Sequence, residues 1–376
     1  MNILALNGGS ATLKFKLYKF PDAGSETLLL EGEEEHSGGK GIVPSAQAVV
    51  KRCEKHGIDA IGYRIVHGGS TFVEPTLLSP ERIETLRGLE FLDPLHNPAE
   101  VAMVEAGFRE LPHAPGVAVF DTAFHSTLPE LAWRYALPRG LTEHQHVRKY
   151  GFHGISFSFV SKELLKSQHR PPAGSRIIIC HLGSGASICA IKDGASIDTS
   201  MGMTPLEGLV MSTRSGDIDP GLLLYLLHSG KLSIDELDDT LNHKSGLLGL
   251  SGSSGDVRTL EEAEAKGDSA ANMALEIFSY RVCTYIGGYA AALGGADTIA
   301  FAGGIGERSP EIREKICWRL KFLGVELSAT ANAAALGKKP AKITTESSSV
   351  QVWVIPTNEE LEVSRQSYGV VRSLGQ

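Results

Sequence analysis

Two hairpin-like segments with glycine-rich turns constrain the fold of this chain most strongly. An apolar segment from Ile3 enters the turn GGSAT and leaves as LKFKL, and another from Ile177 enters GSGAS and leaves as ICAI. Glycine lacks a Cβ and adopts positive φ at little cost, so such turns let backbone N–H groups converge on a phosphate. The repeat therefore predicts two homologous halves that face one polyphosphate.

A third glycine cluster follows an apolar segment near the C-terminus. Gly303-Gly304-Ile305-Gly306 comes after the strand-like residues 297–302 and before a helix expected near Ser309. Strand-to-helix turns of this kind bind nucleotide phosphates at the helix N-terminus. A tight structural turn would explain any one cluster, but three clusters fed by apolar strands favour a nucleotide-binding α/β enzyme.

Length and charge exclude several classes of protein. With 376 residues the chain exceeds the size at which single cores stop growing, so two domains are expected. The net charge of -8 argues against a nucleic-acid or membrane partner, so a bound anion needs a local cluster of positive groups. The five cysteines form no CxxC pair, which predicts neither a disulfide framework nor a zinc site. Without a basic leader before a long apolar run, a soluble cytoplasmic protein is expected.

The order of predicted elements is also duplicated. Strands are predicted at 2–7, 12–19, 27–32, 58–66 and 115–120, and again at 176–182, 186–192, 195–198 and 350–355. Helices are predicted at 45–56, 79–88, 98–110, 220–229, 233–242, 256–266 and 268–293, with a last helix from Thr357. Asp193-Gly194 predicts a type I′ turn. This order fits a duplicated α/β unit with a cleft between its halves.

Two arginines stand out as candidate anion-binding groups. Arg214 lies in the polar, glycine-rich loop 198–220, and long ordered loops of this kind are usually functional. A surface ion pair with Asp217 or Asp219 is the structural alternative. Arg64 lies in an otherwise apolar strand and needs a partner, which a structural salt bridge would also supply.

Three more polar residues occupy strand ends or turns. Asp121 lies just beyond an apolar strand, the edge where α/β enzymes place reactive carboxylates, although a turn or helix cap would also explain it. His153 lies between Phe152 and Gly154, where a purely structural histidine is the alternative. For Asn7 the alternative is simple turn chemistry.

The C-terminal motif PTNEEL contains two adjacent carboxylates. Thr357 as N-cap with Glu360 three residues later predicts a capping box, which gives Glu360 a structural role. Glu359 is then left for a metal ion. Together with three glycine turns, the cations Arg64, His153 and Arg214 and these acids suit phosphoryl transfer, in which charge on the transition state is offset.

The segments above also resemble those of a known family. In order along the chain, they are NGGSATLKF, YRIVHGG, DPLHNP, VFDTAFH, YGFHGIS, HLGSGAS, DTSMGMTPLEG, TRSGDIDP, GGIGER and PTNEEL. The chain resembles the acetokinase family, within the superfamily of acetate and sugar kinases, heat-shock chaperones and actin. The resemblance implies two ribonuclease H-like α/β domains with an active-site cleft between them. It also implies a homodimer that transfers the γ-phosphoryl group of Mg-ATP reversibly to acetate, giving acetyl phosphate and ADP.

The resemblance also implies residue roles. Asn7 and Glu359 would bind Mg²⁺, or alternatively Mn²⁺. The nucleotide would be held by Lys14, by His181, Leu182, Gly183, Ser184 and Gly185, by Asp256, Val257 and Arg258, and by Gly303, Gly304, Ile305, Gly306 and Glu307. Acetate would contact Arg64 and an apolar pocket of Val66, Leu95, Phe152 and Pro205. Asp121, His153 and Arg214 would be catalytic. This chain departs from the commonest pattern of the family in the first turn, NGGSAT, and at Ser184, Ser212 and Phe157.

The expected domains are residues 1–124, joined by the C-terminal helix 361–376, and residues 125–360, which would bind nucleotide and form the dimer. Acetate is already ionised at neutral pH, so transfer to it needs no base. Asp121 is therefore expected to orient the metal, a water or Arg214.

Three other functions stay open at this stage. Propionate kinases share these motifs. A sugar kinase would need a base and hydroxyl-binding side chains, whereas the expected pocket is apolar. A non-catalytic nucleotide-driven module would have little use for Arg64 and Arg214.

Overall fold

The computed structural model describes residues 1–9, 11–21, 25–36, 41–94, 96–144 and 146–374. They form two compact units. The first unit consists of Met1–Ser126, Phe152–Phe159 and Asn358–Gln376, and the second of Thr127–Gly151 and Val160–Thr357. The domain boundaries expected from sequence did not include Phe152–Phe159 in the first unit.

Each half of the chain begins with three strands. The elements up to Phe120 are β1 Asn2–Gly8, β2 Thr12–Lys19, β3 Thr27–Glu35, α1 Ile42–Glu54, β4 Ala60–Ile65, β5 Thr76–Leu77, α2 Pro80–Arg87, α3 Asn97–Glu110 and β6 Gly116–Phe120. Those up to Leu293 are α4 Glu130–Trp133, α5 Arg139–His144, α6 Gly154–Ser167, β7 Arg176–Leu182, β8 Ala186–Lys192, β9 Ala195–Thr199, α7 Pro220–His228, α8 Ile234–His243, α9 Gly246–Ser251, α10 Val257–Ala265 and α11 Ser269–Leu293. The last are β10 Thr298–Ala302, α12 Gly303–Arg308, α13 Pro310–Arg319, α14 Ala329–Ala334, β11 Ala341–Lys342, β12 Gln351–Val354 and α15 Glu359–Ser373.

The two units contain sheets of the same topology. One six-stranded sheet has the order β3-β2-β1-β4-β6-β5 and the other β9-β8-β7-β10-β12-β11. In both, three antiparallel strands are followed by two parallel strands and a short antiparallel edge strand. The predicted duplication of an α/β unit is therefore confirmed, and it includes an edge strand that the sequence did not reveal.

Helices cover both faces of the first sheet. α3 packs on β4 and β6, and α15 packs on β1, β4 and β6. Neighbouring residues of β4 point to opposite faces, as expected for a strand. A Cβ on Gly62 would lie 2.4 Å from Ser367 Oγ of α15, and the hydroxyl of Tyr63 would lie 1.9 Å from a Cβ on Gly107 of α3. Glycines at these two positions therefore permit close helix packing on both faces.

Two expectations for helix starts differ from the structure. The capping box of Thr357 with Glu360 is wrong, because α15 begins after Asn358, whose side chain accepts a hydrogen bond from Leu361 N at 3.3 Å. The third glycine cluster is itself the short helix α12, and Ser309 caps the next helix, α13. The predicted type I′ turn is confirmed, since Asp193 and Gly194 have φ of 53° and 83°.

Among the residues that the structure describes, no helix combines the length and the apolar character needed to cross a bilayer.

Candidate active site

The carboxyl ends of three parallel strands bring together four of the predicted site residues. β1, β4 and β6 are neighbours in the first sheet, and Asn7, Arg64 and Asp121 lie at or just beyond their carboxyl ends. This edge is where open α/β sheets bind ligands. Glu359 opens α15 and joins the group through a contact with Asn7, whose Nδ2 donates to Glu359 Oε2 at 3.3 Å.

Arg64 is the centre of this cluster. Its Nη2 and Nε donate to Asp121 Oδ2 at 2.6 and 3.2 Å, and its Nη1 donates to Asn7 Oδ1 at 3.1 Å and to Gly8 O at 3.4 Å. Burial alone would lower the pKa of the guanidinium, but the carboxylates of Asp121 and Glu359 outweigh it and raise the pKa. Arg64 therefore stays charged, and four of the five N–H donors of its guanidinium are in use.

A second glutamate shares Asn7 with Glu359. Asn7 Nδ2 also donates to Glu360 Oε1 at 2.9 Å, and Lys16 Nζ lies 3.4 Å from Glu360 Oε2 and 2.9 Å from Asn358 Oδ1. Sequence reasoning singled out Lys14, whose side chain is exposed, and missed Lys16. The two lysines are two residues apart on β2, so they share a face, and alternation alone could not separate them.

The acidic side of the cluster suits a divalent cation. Burial raises the pKa of the Glu359 carboxyl, Arg64 opposes that shift, and the negative charges of Asp121 and Glu360 add to it. Crowded carboxylates of this kind gain from a cation, and oxygen atoms are the ligands that Mg²⁺ prefers. In the described part of the chain no three His, Cys, Asp or Glu side chains form a metal-binding group. A Mg²⁺ ion held by one or two carboxylates and by substrate phosphates needs no such group.

His153 is held close to Asp121, because the next residue in the chain, Gly154, is hydrogen-bonded to it. Gly154 N donates to Asp121 O at 2.9 Å, and a Cβ on Gly154 would lie 2.1 Å from that oxygen, so only glycine fits. His153 has a φ of 58°, a left-handed conformation that is uncommon for a residue with a side chain. The FHG motif therefore places a strained histidine next to the catalytic candidate Asp121.

Aromatic and imidazole rings surround the same motif. The rings of Phe152 and His67 meet edge to face at 5.5 Å, and His125 Nε2 donates to Phe152 O at 3.0 Å. Phe157 is fully buried, with its ring 5.6 Å from that of His125. Of the predicted apolar pocket, Val66 and Phe152 are buried, and Leu95 lies outside the described residues.

In the second unit two of the predicted nucleotide segments are in direct contact, and Ser212 links them to the residue before the third. A Cβ on Gly303 would lie 2.7 Å from Leu182 O, so the glycine turn lies directly on the end of β7. Ser212 N donates to Ser184 O at 3.1 Å, and Ser212 Oγ donates to Gly255 O at 2.8 Å. Ser212 thus joins the Arg214 loop to the Ser184 turn and to the segment that precedes Asp256.

Glu307 holds the third glycine cluster in place. Its Oε1 accepts from Gly303 N and from Thr357 N, both at 3.0 Å, and the side chain is buried. Sequence reasoning grouped Glu307 with the residues that hold the nucleotide. The structure shows what it does within the protein, which is to fix the first N–H of the turn and the residue before Asn358.

The remaining predicted residues lie in or near loops of the second unit. Asp256 caps α10 through Thr259 N at 2.9 Å, Val257 opens that helix, and Arg258 is largely exposed. Arg214 and Pro205 are partly buried. The two acids considered as partners of Arg214 have other hydrogen bonds. Asp217 accepts from Gly208 N at 2.7 Å and from Tyr285 at 2.5 Å, and Asp219 caps α7 through Gly221 N.

Comparison with solved structures identifies the class of protein that has this fold. The structure of an acetate kinase from Porphyromonas gingivalis aligns with a TM-score of 0.89 and 37% identity over 98% of this chain and 99% of its own. A propionate kinase from Francisella tularensis aligns with a TM-score of 0.85 and 36% identity over 97% and 98%. The fold is thus that of a two-domain α/β kinase.

The sequence comparisons identify the family. The profile of the acetokinase family matches residues 22–365. An acetate kinase from Dictyoglomus thermophilum is 43% identical over 401 aligned positions, which include 99% of both chains. This chain therefore belongs to the acetokinase family, which confirms the resemblance seen in its motifs.

Proposed function

We propose that this protein is an acetate kinase, which transfers the γ-phosphoryl group of ATP reversibly to acetate. The observation that carries the proposal is the partly buried, charged Arg64 at the strand ends of the first unit, surrounded by Asp121, Asn7 and Glu359. A guanidinium binds a carboxylate through charge and charge-assisted hydrogen bonds, and Arg64 keeps its positive charge at this place. Membership of the acetokinase family supports the same reaction.

The chemistry follows from these groups. An acetate oxygen attacks the γ-phosphorus, the bond from that phosphorus to the bridging oxygen breaks, and ADP leaves. Arg64 would orient the acetate carboxylate, while Arg214 and His153 would offset the negative charge of the transition state. Because Asp121 already holds Arg64, its role is to orient that guanidinium, and no proton has to be taken from acetate.

Asn7 and Glu359 would hold the metal ion, for which Mg²⁺ is proposed and Mn²⁺ is the alternative. A divalent cation there supplies charge that offsets the polyphosphate. The protein's own contribution is Asn7, which presents its amide to Arg64, Glu359 and Glu360 at once.

Hydroxylamine trapping tests the function directly. Hydroxylamine converts an acyl phosphate to a hydroxamate, so the purified chain should give acetohydroxamate only when acetate, ATP and Mg²⁺ are all present. ATP hydrolysis without hydroxamate would favour a nucleotide-driven module. Phosphorylation of a sugar without hydroxamate would favour a sugar kinase.

Metal binding is expected to depend on Glu359 and on pH. The folded-state pKa of Glu359 is raised, so the stability it contributes is present at low pH and is lost as the pH rises through that pKa. Mg²⁺ favours the ionised carboxylate, so the rise in Tm caused by Mg²⁺ should grow with pH. At a Mg²⁺ concentration one hundred times its Kd, binding should raise the free energy of unfolding by about 2.7 kcal/mol. In thermal unfolding between pH 5 and 8, the Glu359→Gln variant should show neither the rise in Tm caused by Mg²⁺ nor the growth of that rise with pH.

Glu360→Gln is the matched control for that measurement. It removes the adjacent carboxylate and its ion pair with Lys16. Its stability should fall by about 1 kcal/mol while its response to Mg²⁺ stays close to that of the unchanged protein. A larger loss of Mg²⁺ response in Glu360→Gln than in Glu359→Gln would reverse the two roles.

Propionate is the second candidate substrate, because a solved relative of similar fold is described as a propionate kinase. Val66 is only 5% exposed and follows directly on the strand that carries Arg64. One extra methylene changes discrimination by ~1–3 kcal/mol, so acetate should exceed propionate in kcat/KM by roughly tenfold or more. Val66→Ala should narrow that ratio. Equal or better use of propionate by the unchanged protein would make propionate kinase the better description.

The assembly and the domain roles remain proposals. We propose a homodimer in the cytoplasm, in which the second unit, Thr127–Gly151 and Val160–Thr357, binds the nucleotide and forms the dimer. The acidic net charge of -8 supports small-molecule partners over nucleic acid or membrane.

A further inference from the structure

Glu100 is a buried glutamate for which the proposed reaction gives no role. It lies in the first turn of α3 and is 2% exposed. Its Oε1 is buried, and no hydrogen-bond partner for that atom is found among the described residues. A buried carboxylate costs several kcal/mol of desolvation, so a glutamate here needs a specific partner.

That partner is the backbone next to Arg64. Glu100 Oε2 accepts a hydrogen bond from Val66 N at 3.0 Å. Val66 is the first residue after β4, two positions beyond Arg64. Glu100 of α3 therefore fixes the backbone between Arg64 and Val66. Arg64 is proposed to bind the carboxylate of acetate, and Val66 is proposed to contact its methyl group.

Charged groups on two elements face Glu100. Burial raises its pKa to about 7, while Arg64 of β4 and His96 oppose that shift and Asp93 adds to it. His96 and Asp93 precede α3 and contact each other, with His96 Nδ1 3.0 Å from Asp93 Oδ1. Glu100 is thus coupled to Arg64 by charge and to Val66 by a hydrogen bond.

We propose that Glu100 is a positioning residue that sets the chain-length specificity of this enzyme, an inference that rests on the proposed function. Its hydrogen bond holds Val66 at a fixed distance from Arg64. Without that bond the Val66 N–H is left buried and the backbone shifts to find another acceptor. The space for the acyl chain then becomes less defined, so acetate binds less well and propionate is rejected less strongly.

Two substitutions at this position separate the hydrogen bond from the charge. Glu100→Gln keeps an oxygen acceptor of the same length and removes the charge. Glu100→Met keeps the length and removes the acceptor. Glu105→Gln is the control, because Glu105 lies on the same helix and pairs with Arg87 at 2.7 Å.

The readout is kcat/KM for acetate divided by that for propionate, with KM and kcat measured separately. Glu100→Met should lower the ratio ~5-fold or more, through a higher KM for acetate with a smaller change in kcat. Glu100→Gln and Glu105→Gln should stay within about twofold of the unchanged protein. An unchanged ratio in Glu100→Met, or an equal fall in Glu100→Gln, would overturn the proposal.

Glu100→Asp keeps the test decisive should Glu100→Met fail to fold. Aspartate retains the charge, but its side chain is one methylene shorter, so its oxygens lie too far from Val66 N to accept the hydrogen bond. The acetate-to-propionate ratio should therefore fall in Glu100→Asp and stay unchanged in Glu100→Gln. A ratio in Glu100→Asp equal to that of the unchanged protein would contradict the role of the hydrogen bond. Failure of the unchanged protein to form acetohydroxamate would instead overturn the proposed function.

Discussion

Replacing Arg214 by alanine is expected to lower kcat by about 10³–10⁵-fold, the range found for arginines that stabilise a transferring phosphoryl group. The KM values for acetate and ATP should change far less, because the proposed interaction of Arg214 is with the transition state and not with the bound substrates. Steady-state kinetics at saturating substrates measure this effect. The loop is held at Ser212, whose backbone and hydroxyl contact Ser184 and Gly255, so the alanine variant should keep the loop in place.

Arg281→Gln is the control for a general disturbance of the Arg214 loop. Arg281 Nη2 donates to Asp217 O at 3.3 Å, so its replacement loosens the loop without removing Arg214. Its kcat should remain close to that of the unchanged protein. An Arg214→Ala variant that keeps most of its turnover would show that Arg214 is a structural residue of the loop.

Replacing Arg64 by alanine should raise the KM for acetate by about 10- to 100-fold, since a hydrogen bond to a charged group contributes ~1.5–3 kcal/mol. The structure adds an effect that the sequence did not suggest. Asp121 is 2% exposed and would be left as an unpaired buried charge, which costs about 3–5 kcal/mol of stability.

The double variant Arg64→Ala with Asp121→Asn separates the two effects. It removes the buried charge, so much of the lost stability should return in urea unfolding while the KM for acetate stays high. A low KM for acetate in either variant would remove Arg64 from the substrate site. Equal stability of the single and double variants would show that Asp121 finds another partner.

The sequence predicts the architecture well because its signals are local. The two glycine-turn hairpins, the apolar strands and the Asp193-Gly194 turn each depend on a few neighbouring residues, and they are confirmed, whereas the third glycine cluster forms the short helix α12. The start of α15 was misplaced by one residue, because Thr357 and Asn358 are both good caps and the choice depends on where Asn358 meets Tyr18 and Lys16.

The site could be predicted only in part, because its missing members depend on tertiary contacts. Glutamate is almost never fully buried without a partner, so Glu100 looks like a surface residue in the first turn of a helix. The only local signal for the position of Glu100 is Pro98. Proline marks the start of the helix, and the helix start determines which face of α3 carries Glu100. Lys16 likewise acquires its partner Glu360 from a segment far away in the chain.

The shared topology of the two sheets allows residues of one unit to be compared with those of the other. β4 and β10 occupy the same place in the two sheets, and Arg64 lies one residue before the end of β4 whereas Ala302 is the last residue of β10. Near this end of the strand the first unit has a guanidinium, and the second has a methyl group followed by Gly303.

The groups at the ends of β4 and β10 should respond differently to a change in pH. In the first unit the proposed anion-binding group is the Arg64 side chain. It lies beside carboxylates, and the protonation of one of them, Glu359, changes with pH. In the second, the glycine turns present peptide N–H groups, which have no ionisation in the physiological range. A fall in pH should therefore alter the proposed binding of acetate and metal while leaving the peptide N–H groups that are proposed to contact the nucleotide unchanged.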